Sequence, residues 1–145
     1  MKARKVGEDY LIAVEMGEDL PSSLLRFAAL ASLTAGQISG IGALRDVELG
    51  YYWLDRKEYK RQRFPEIVEL VSCAGNLALR DGSPFVHLHV ALGREDFSLF
   101  GGHLFSGIVA VTVELVLHPF PEPVTRKHED RAGLFLLDLP SCETR

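Results

Sequence analysis

Three histidines stand where they could act together. Two lie in Pro84-Phe85-Val86-His87-Leu88-His89-Val90-Ala91-Leu92-Gly93, and the third in Gly101-Gly102-His103-Leu104-Phe105. The first stretch alternates, with Val86, Leu88, Val90 and Leu92 on one face of a strand and His87 and His89 on the other. Residues i and i+2 of a strand project the same way, roughly 6.5–7 Å apart. Two imidazoles at that spacing can lean onto one ion, because a zinc–nitrogen bond is about 2.0–2.1 Å long. His103 becomes a third ligand if the intervening loop turns the chain back beside this strand. Three histidines plus water or substrate make an open zinc site. The same His-x-His spacing also suits two exposed polar side chains on a strand, and the residues alone leave both readings open.

The elements that must position these residues follow from patterning. Tyr10 to Val14 reads as a strand. Gly17 to Pro21 is a turn into a helix, with acids before it and Pro21 near its first position. Leu20, Leu24, Phe27, Ala28 and Ala31 recur at helical spacing, and Gly36 is the expected stop. In Gln37 to Leu44 the pair Gly40 and Gly42 lacks the third glycine of a dinucleotide loop and follows a helix instead of opening one. It reads as a bulge or a close backbone approach. Val47 to Trp53 is β-prone, and Arg56 to Arg63 is a charged connection or edge strand around Tyr59. Glu66 to Leu79 is a long strand, and Asp81-Gly82 a hairpin turn into Pro84 to Leu92. Gly93 to Asp96 turns again, and Phe97 to Phe100 begins the next strand.

Gly107 to His118 is apolar on both faces, with Val109, Val111, Val113, Leu115 and Leu117 on one and Ala110, Thr112 and Val116 on the other. A strand buried on both faces needs two coverings. The helix supplies one, and a neighbouring subunit is expected to supply the other. Glu114 interrupts the second face, where a buried carboxylate needs a partner such as histidine or arginine. Thr125 to Arg131 reads as a solvated loop, and Leu134 to Leu139 as a final strand.

The totals bound the function classes. A chain of 145 residues is one domain, residues 1–145, long enough to bury a core without staples. Hydrophobic residues at 47% and charged residues at 25% place it among globular proteins. A net charge of -4 argues against a nucleic-acid footprint over the whole surface, leaving the local basic patch of Arg56, Lys57, Lys60, Arg61 and Arg63. Cys73, in an apolar run, and Cys142, in the tail, form neither a disulfide framework nor a zinc-ribbon spacing. The expectation is a reducing, cytoplasmic setting, with Cys73 an inert buried thiol rather than a nucleophile. Met1 to Tyr10 has no apolar signal core, and no apolar run reaches membrane-spanning length.

Several segments, in order, resemble the plant-and-prokaryote-conserved (PPC, also written PCC) domain. They are Gly40 to Leu44, Glu48 to Tyr52, Lys57-Glu58-Tyr59, Glu69 to Asn76, Asp81 to His89, Gly101 to Leu104 and Val113-Glu114. The likeness spans about Val6 to Leu139, leaving 140–145 as a tail. It implies an α/β fold of the α+β type: a mostly antiparallel β-sheet with one main helix packed on it, assembled as a homotrimer. It also implies a metal site, zinc, on His87, His89 and His103 near a subunit interface. In plants this domain follows AT-hook DNA-binding motifs. No Arg-Gly-Arg-Pro core occurs in this chain, and of the plant segment Gly-Arg-Phe-Glu-Ile-Leu only Glu69-Leu70-Val71 matches the second half.

Two functions lead, with direct DNA binding a third. One is a trimeric, DNA-associated regulatory or interaction module in which metal acts as structural cement. The other is a metal-dependent enzyme acting on a small molecule, with Glu69 or Glu114 as general base. Direct DNA binding through Arg56 to Arg63 is the reading the net charge supports least.

Overall fold

The computed structural model describes residues 1–141. Among them are one helix, α1 (Leu20–Leu30), and nine strands. The strands are β1 (Lys2–Val6), β2 (Asp9–Glu15), β3 (Gly36–Trp53), β4 (Glu58–Phe64), β5 (Val68–Arg80), β6 (Ser83–Gly93), β7 (Leu99–Pro119), β8 (Thr125–Glu129) and β9 (Leu134–Leu137). They form one sheet in the order β1-β2-β7-β3-β5-β8-β9, with β4 beside β3, and β6 beside both β5 and β7. Among the described residues the only parallel pairing is the short one of β5 with β8. The expected α+β class, a mostly antiparallel sheet with one packed helix, is what the chain forms.

Strands β3 and β7 run for 18 and 21 residues, far beyond the usual 3–10. They bend to do so. Register shifts fall between Gly40 and Gly42 against β5, and at three places along β3 against β7; such bulges bend and twist a strand. The Gly40–Gly42 bulge expected from the sequence is among them. Bending lets β7 pair first with β6 and then with β3. Strands β3, β5, β6 and β7 thereby pair in a closed circuit.

The helix begins where the sequence places it. Asp19 caps it, its carboxylate accepting from the Ser22 amide at 3.0 Å, with Pro21 in the first turn. The same carboxylate accepts from the Gly107 amide at 3.1 Å, fastening the helix start to β7. Leu20, Leu24, Phe27 and Ala28 are buried in the core. The stop differs from expectation. Ser32, at φ 53°, is the left-handed residue. Its amide and that of Leu33 donate to the carbonyls of Ala29 and Ala28, the paired closing bonds of a helix C-terminus. Gly36 instead opens β3.

Strand β7 is buried on one face only. Val109, Val113, Leu115 and Leu117 are in the core, whereas Val111 is 62% and Val116 38% exposed. Alternation breaks at Val111 because the step from Gly42 to Leu44 on β3 faces the longer step from Val113 to Val109 on β7. Glu114 is exposed. The expected buried carboxylate is therefore corrected: within one protomer its charge stays in water and needs no partner.

Other differences lie at the ends. Lys2–Val6 pairs with β2 as a strand, although it reads only as charged sequence. Thr125 to Arg131, expected as a solvated loop, contains β8, and Arg126 within it is buried. Cys73 is buried and free, and burial pushes its thiol up to about 11, as befits an inert residue. Cys142 lies outside the described residues. No helix among the described residues is long and apolar enough to cross a membrane.

Asp81 and Gly82, at φ 51° and 76°, form the two-residue turn between β5 and β6 that suits the twist of a hairpin. Further along the pair the backbones approach closely at Gly75, where a Cβ would collide with the His87 carbonyl oxygen. Gly75→Ala is expected to cost ~1–3 kcal/mol through overpacking, seen as a lower midpoint in urea denaturation. A midpoint equal to that of the unmodified chain would mean the two strands have room to spare.

Candidate metal centre

Strand pairing brings the three histidines together. His89 of β6 lies directly opposite His103 of β7, and His87 is two residues along the same face. Their register is held from the other face, where Leu88, Val90 and Leu92 are buried. The turn expected over Gly93 to Asp96 closes through the Arg94 amide donating to the Ser98 carbonyl and the Phe97 amide donating to the Arg94 carbonyl. It delivers His103 beside β6. His103 also pairs with Gly50 of β3, so it sits where β7 passes from one neighbour to the next.

Ring centroids are 5.0 Å apart for His87 and His89, 5.1 Å for His87 and His103, and 5.5 Å for His89 and His103. One ring nitrogen from each lies within 4.8 Å of the other two. Tetrahedral zinc places its nitrogens about 3.4 Å apart at bonds of 2.0–2.1 Å, so modest ring rotation closes the set. His103 packs against Tyr59 of β4 at 5.1 Å and Phe105 at 4.7 Å. Its Nδ1 is buried without a hydrogen-bond partner. Orphaned buried nitrogens are costly, and a metal bond is one way to satisfy such a ring.

Charge fits the same reading. Burial, then the positive charge of Arg126 and then His89, holds His87 down to about 4. Burial, then His87 and His89, holds His103 down to about 4. Both rings are therefore neutral at pH 7, the form that ligates a metal. His89 is exposed, so the cluster opens to solvent on that side. The donor set suits a borderline-soft dication such as zinc.

The candidate bases are not brought to the histidines. Glu69 stands five residues along β5 from Ala74, the partner of His89, which is ~17 Å of strand. Glu114 is eleven residues along β7 from His103, ~36 Å of strand. The basic patch also divides. Arg56 stacks on Trp53 at 4.4 Å, and Arg63 reaches Glu48 at 3.4 Å. Arg61 lies 3.7 Å from the Phe105 ring centre and 3.5 Å from Glu48.

Beside His87 and His103 lies a cavity of about 530 Å³, walled by Tyr59, Arg61, Phe85, Phe105, Arg126 and Phe135 among others. Arg126 and Phe135 come from the β8–β9 hairpin. That hairpin is tied across the molecule by the Tyr52 hydroxyl donating to the Ala132 carbonyl at 2.5 Å, and Lys57 Nζ donating to the Asp130 carbonyl at 2.6 Å. Sequence reasoning missed Arg126. It stands among Thr125, Lys127 and His128, and nothing in that charged run separates a buried arginine from a solvated one.

The family described as the Plants and Prokaryotes Conserved (PCC) domain matches residues 1–121, and the chain belongs to this family. The chain is similar to the plant- and prokaryote-conserved protein of Pyrococcus horikoshii, at 36% identity over 94% of this chain and 95% of that one, TM-score 0.86. It is similar to a metal-containing protein of Archaeoglobus fulgidus, at 36% identity over 92% and 94%, TM-score 0.84. A "putative DNA binding protein" of Bacteroides thetaiotaomicron is 28% identical over 94% and 96%, TM-score 0.91. No functionally curated protein matches in sequence.

The histidines predict a pH response in the chelator-treated protein. Folded His87 and His103 resist protons down to about pH 4, whereas the unfolded chain takes them up near 6.5. The unfolded state thus binds more protons between these values, so stability rises with pH across that window. It is fully present above about 6.5 and is lost as pH falls toward 4. Thermal unfolding at pH 7.5 and pH 5 is expected to show this drop, and a His87→Ala/His103→Ala double variant is expected to show less of it. Equal drops in both proteins would place the titration elsewhere.

Proposed function

We propose that this chain is a homotrimeric PCC-domain module of DNA-associated regulatory assemblies, each protomer holding zinc on His87, His89 and His103. The observation that carries the metal is the convergence of three imidazoles, one of which, His103, has a buried ring nitrogen with no hydrogen-bond partner. The metal-containing Archaeoglobus relative supports it. Self-association draws support from the uncovered face of the sheet. Leu11 lies beside Val116, which lies beside Ser39, and Ile41 lies beside Glu114. Leu11, Ile41, Val71 and Val111 are all about half exposed or more. Contiguous apolar surface of this kind marks protein contact, and a second or third copy would supply the missing covering.

The DNA association draws on the Bacteroides relative's description. In this chain Arg61 and Arg63 are turned toward Glu48, which favours a role through assembly over direct phosphate contacts. A reducing cytoplasmic setting suits the free thiol of Cys73.

The cavity beside His87 and His103 favours a second reading, a metal-dependent enzyme acting on a small molecule through the same site. A bound ion there would lower the pKa of a coordinated water to about 7. Glu69 or Glu114 serves as base in that scheme only if a neighbouring subunit carries it to the site.

Metal analysis of the purified chain, His87→Ala and His103→Ala is expected to find zinc in the first and little in the variants. Unchanged metal in both variants would end the metal reading. Size-exclusion measurements are expected to give a trimer; its loss on chelation assigns a structural metal, and its persistence an open site. A mobility-shift titration is expected to show weak, salt-sensitive DNA binding at most, and tight binding that survives moderate salt would overturn the assembly-only role.

A further inference from the structure

Arg126 is the only buried charged residue among those described, at 9% exposed. Its Nη1 donates to the Phe135 carbonyl at 3.0 Å and its Nη2 to Asn76 Oδ1 at 2.7 Å, and Nε has no partner. The guanidinium also lies 5.1 Å from the Phe85 ring centre. Every one of these partners is neutral, and no carboxylate among the described residues pairs with it. A buried charge without a counter-charge is costly, so such a site calls for an anion. Its field reaches both His87 and His103.

The cavity that Arg126 lines agrees. Arg61 and Arg80 line it too, whereas no aspartate or glutamate does. Arg80 lies 4.3 Å from the Phe135 ring centre and Arg61 3.7 Å from that of Phe105, so the walls alternate flat rings with guanidinium groups. A volume of about 530 Å³ is within the range of small-molecule sites. A dication on neutral histidines would add further positive charge at its floor.

We infer that this cavity, between the three histidines and the β8–β9 hairpin, binds a small organic oxyanion, a carboxylate or phosphate ester on a flat apolar body. Its oxygens meet the Arg126 guanidinium, whose planar fork suits either head group, and the apolar body lies against Phe85, Phe105 and Phe135. Contact of an oxygen with the ion rests on the metal site proposed above; the Arg126 contact does not. The hairpin lies beyond the family-matched residues 1–121, so the ligand would be chosen by a segment outside that match.

The test is calorimetric titration of benzoate, phenyl phosphate, inorganic phosphate and benzamide into the full chain, with metal content measured in each sample. Benzoate or phenyl phosphate is expected to bind at least ten-fold tighter than benzamide, and the tighter of the two identifies the head group. Arg126→Met is expected to weaken that binding at least ten-fold with metal content unchanged. Should that variant fail to fold, the anion-against-amide contrast in the unmodified chain decides. Equal binding of benzamide, no binding of either organic anion, or undiminished binding by a folded Arg126→Met would overturn the inference. Inorganic phosphate binding as tightly as phenyl phosphate would overturn the role of the apolar body. A chain without metal would refute the metal site alone, because the same contrasts still judge the pocket.

Discussion

The register between β6 and β7 is the constraint on which the site depends. A strand has period two, so a slip of one residue moves every side chain to the opposite face. Here His89 faces His103, and the slip is opposed from the other side by Leu88, Val90 and Leu92, which are 1%, 6% and 0% exposed. Exposing them would cost several kcal/mol, at ~1.5–3 kcal/mol for each fully buried apolar side chain. The hydrophobic face of β6 therefore fixes the imidazoles of its polar face. The core and the site are two sides of one strand.

The second constraint is the bend in β7. One strand serves three neighbours, β6 at its start, β3 from His103 onward and β2 near its end, and bulges against β3 bend it along the way. His103 stands at that crossing. Around it gather rings from elements far apart in sequence: Tyr59 from β4, Phe105 from β7 itself, and Phe85 and Phe135 across the cavity. Burial here desolvates His87 and His103 and keeps them neutral, a condition for metal ligation. The same low-dielectric surroundings make the isolated charge of Arg126 costly. The neutral histidines and the unmatched arginine are two consequences of one enclosure.

The sheet also divides its apolar surface in two. The inner face meets the helix and forms the core, while the outer face over β2, β7 and β3 keeps Leu11, Ile41 and Val116 in water. A chain that spent its apolar residues only on its own core would carry polar residues where β7 has Val111 and Val116. That uncovered face is the surface on which the proposed self-association rests.

Local pattern was enough for much of this. Alternation set the faces of β6, the Asp81-Gly82 pair set the hairpin, helical spacing and Asp19-Leu20-Pro21 set the helix start, and ordered segments set the family. Those features rest on interactions within a few residues, where residue type and spacing suffice. The sequence could also nominate His87 and His89, because i and i+2 on a strand share a side, and His103 on the condition that the intervening loop turned the chain back. What only the tertiary structure decided came from long-range pairing. It set Glu114 in water, turned Arg126 inward against Asn76 and Phe135, and left Glu69 far along the strand from the histidines. Burial of a charge depends on which distant strand lies alongside, and a run such as Thr125-Arg126-Lys127-His128 carries no local mark of that neighbour.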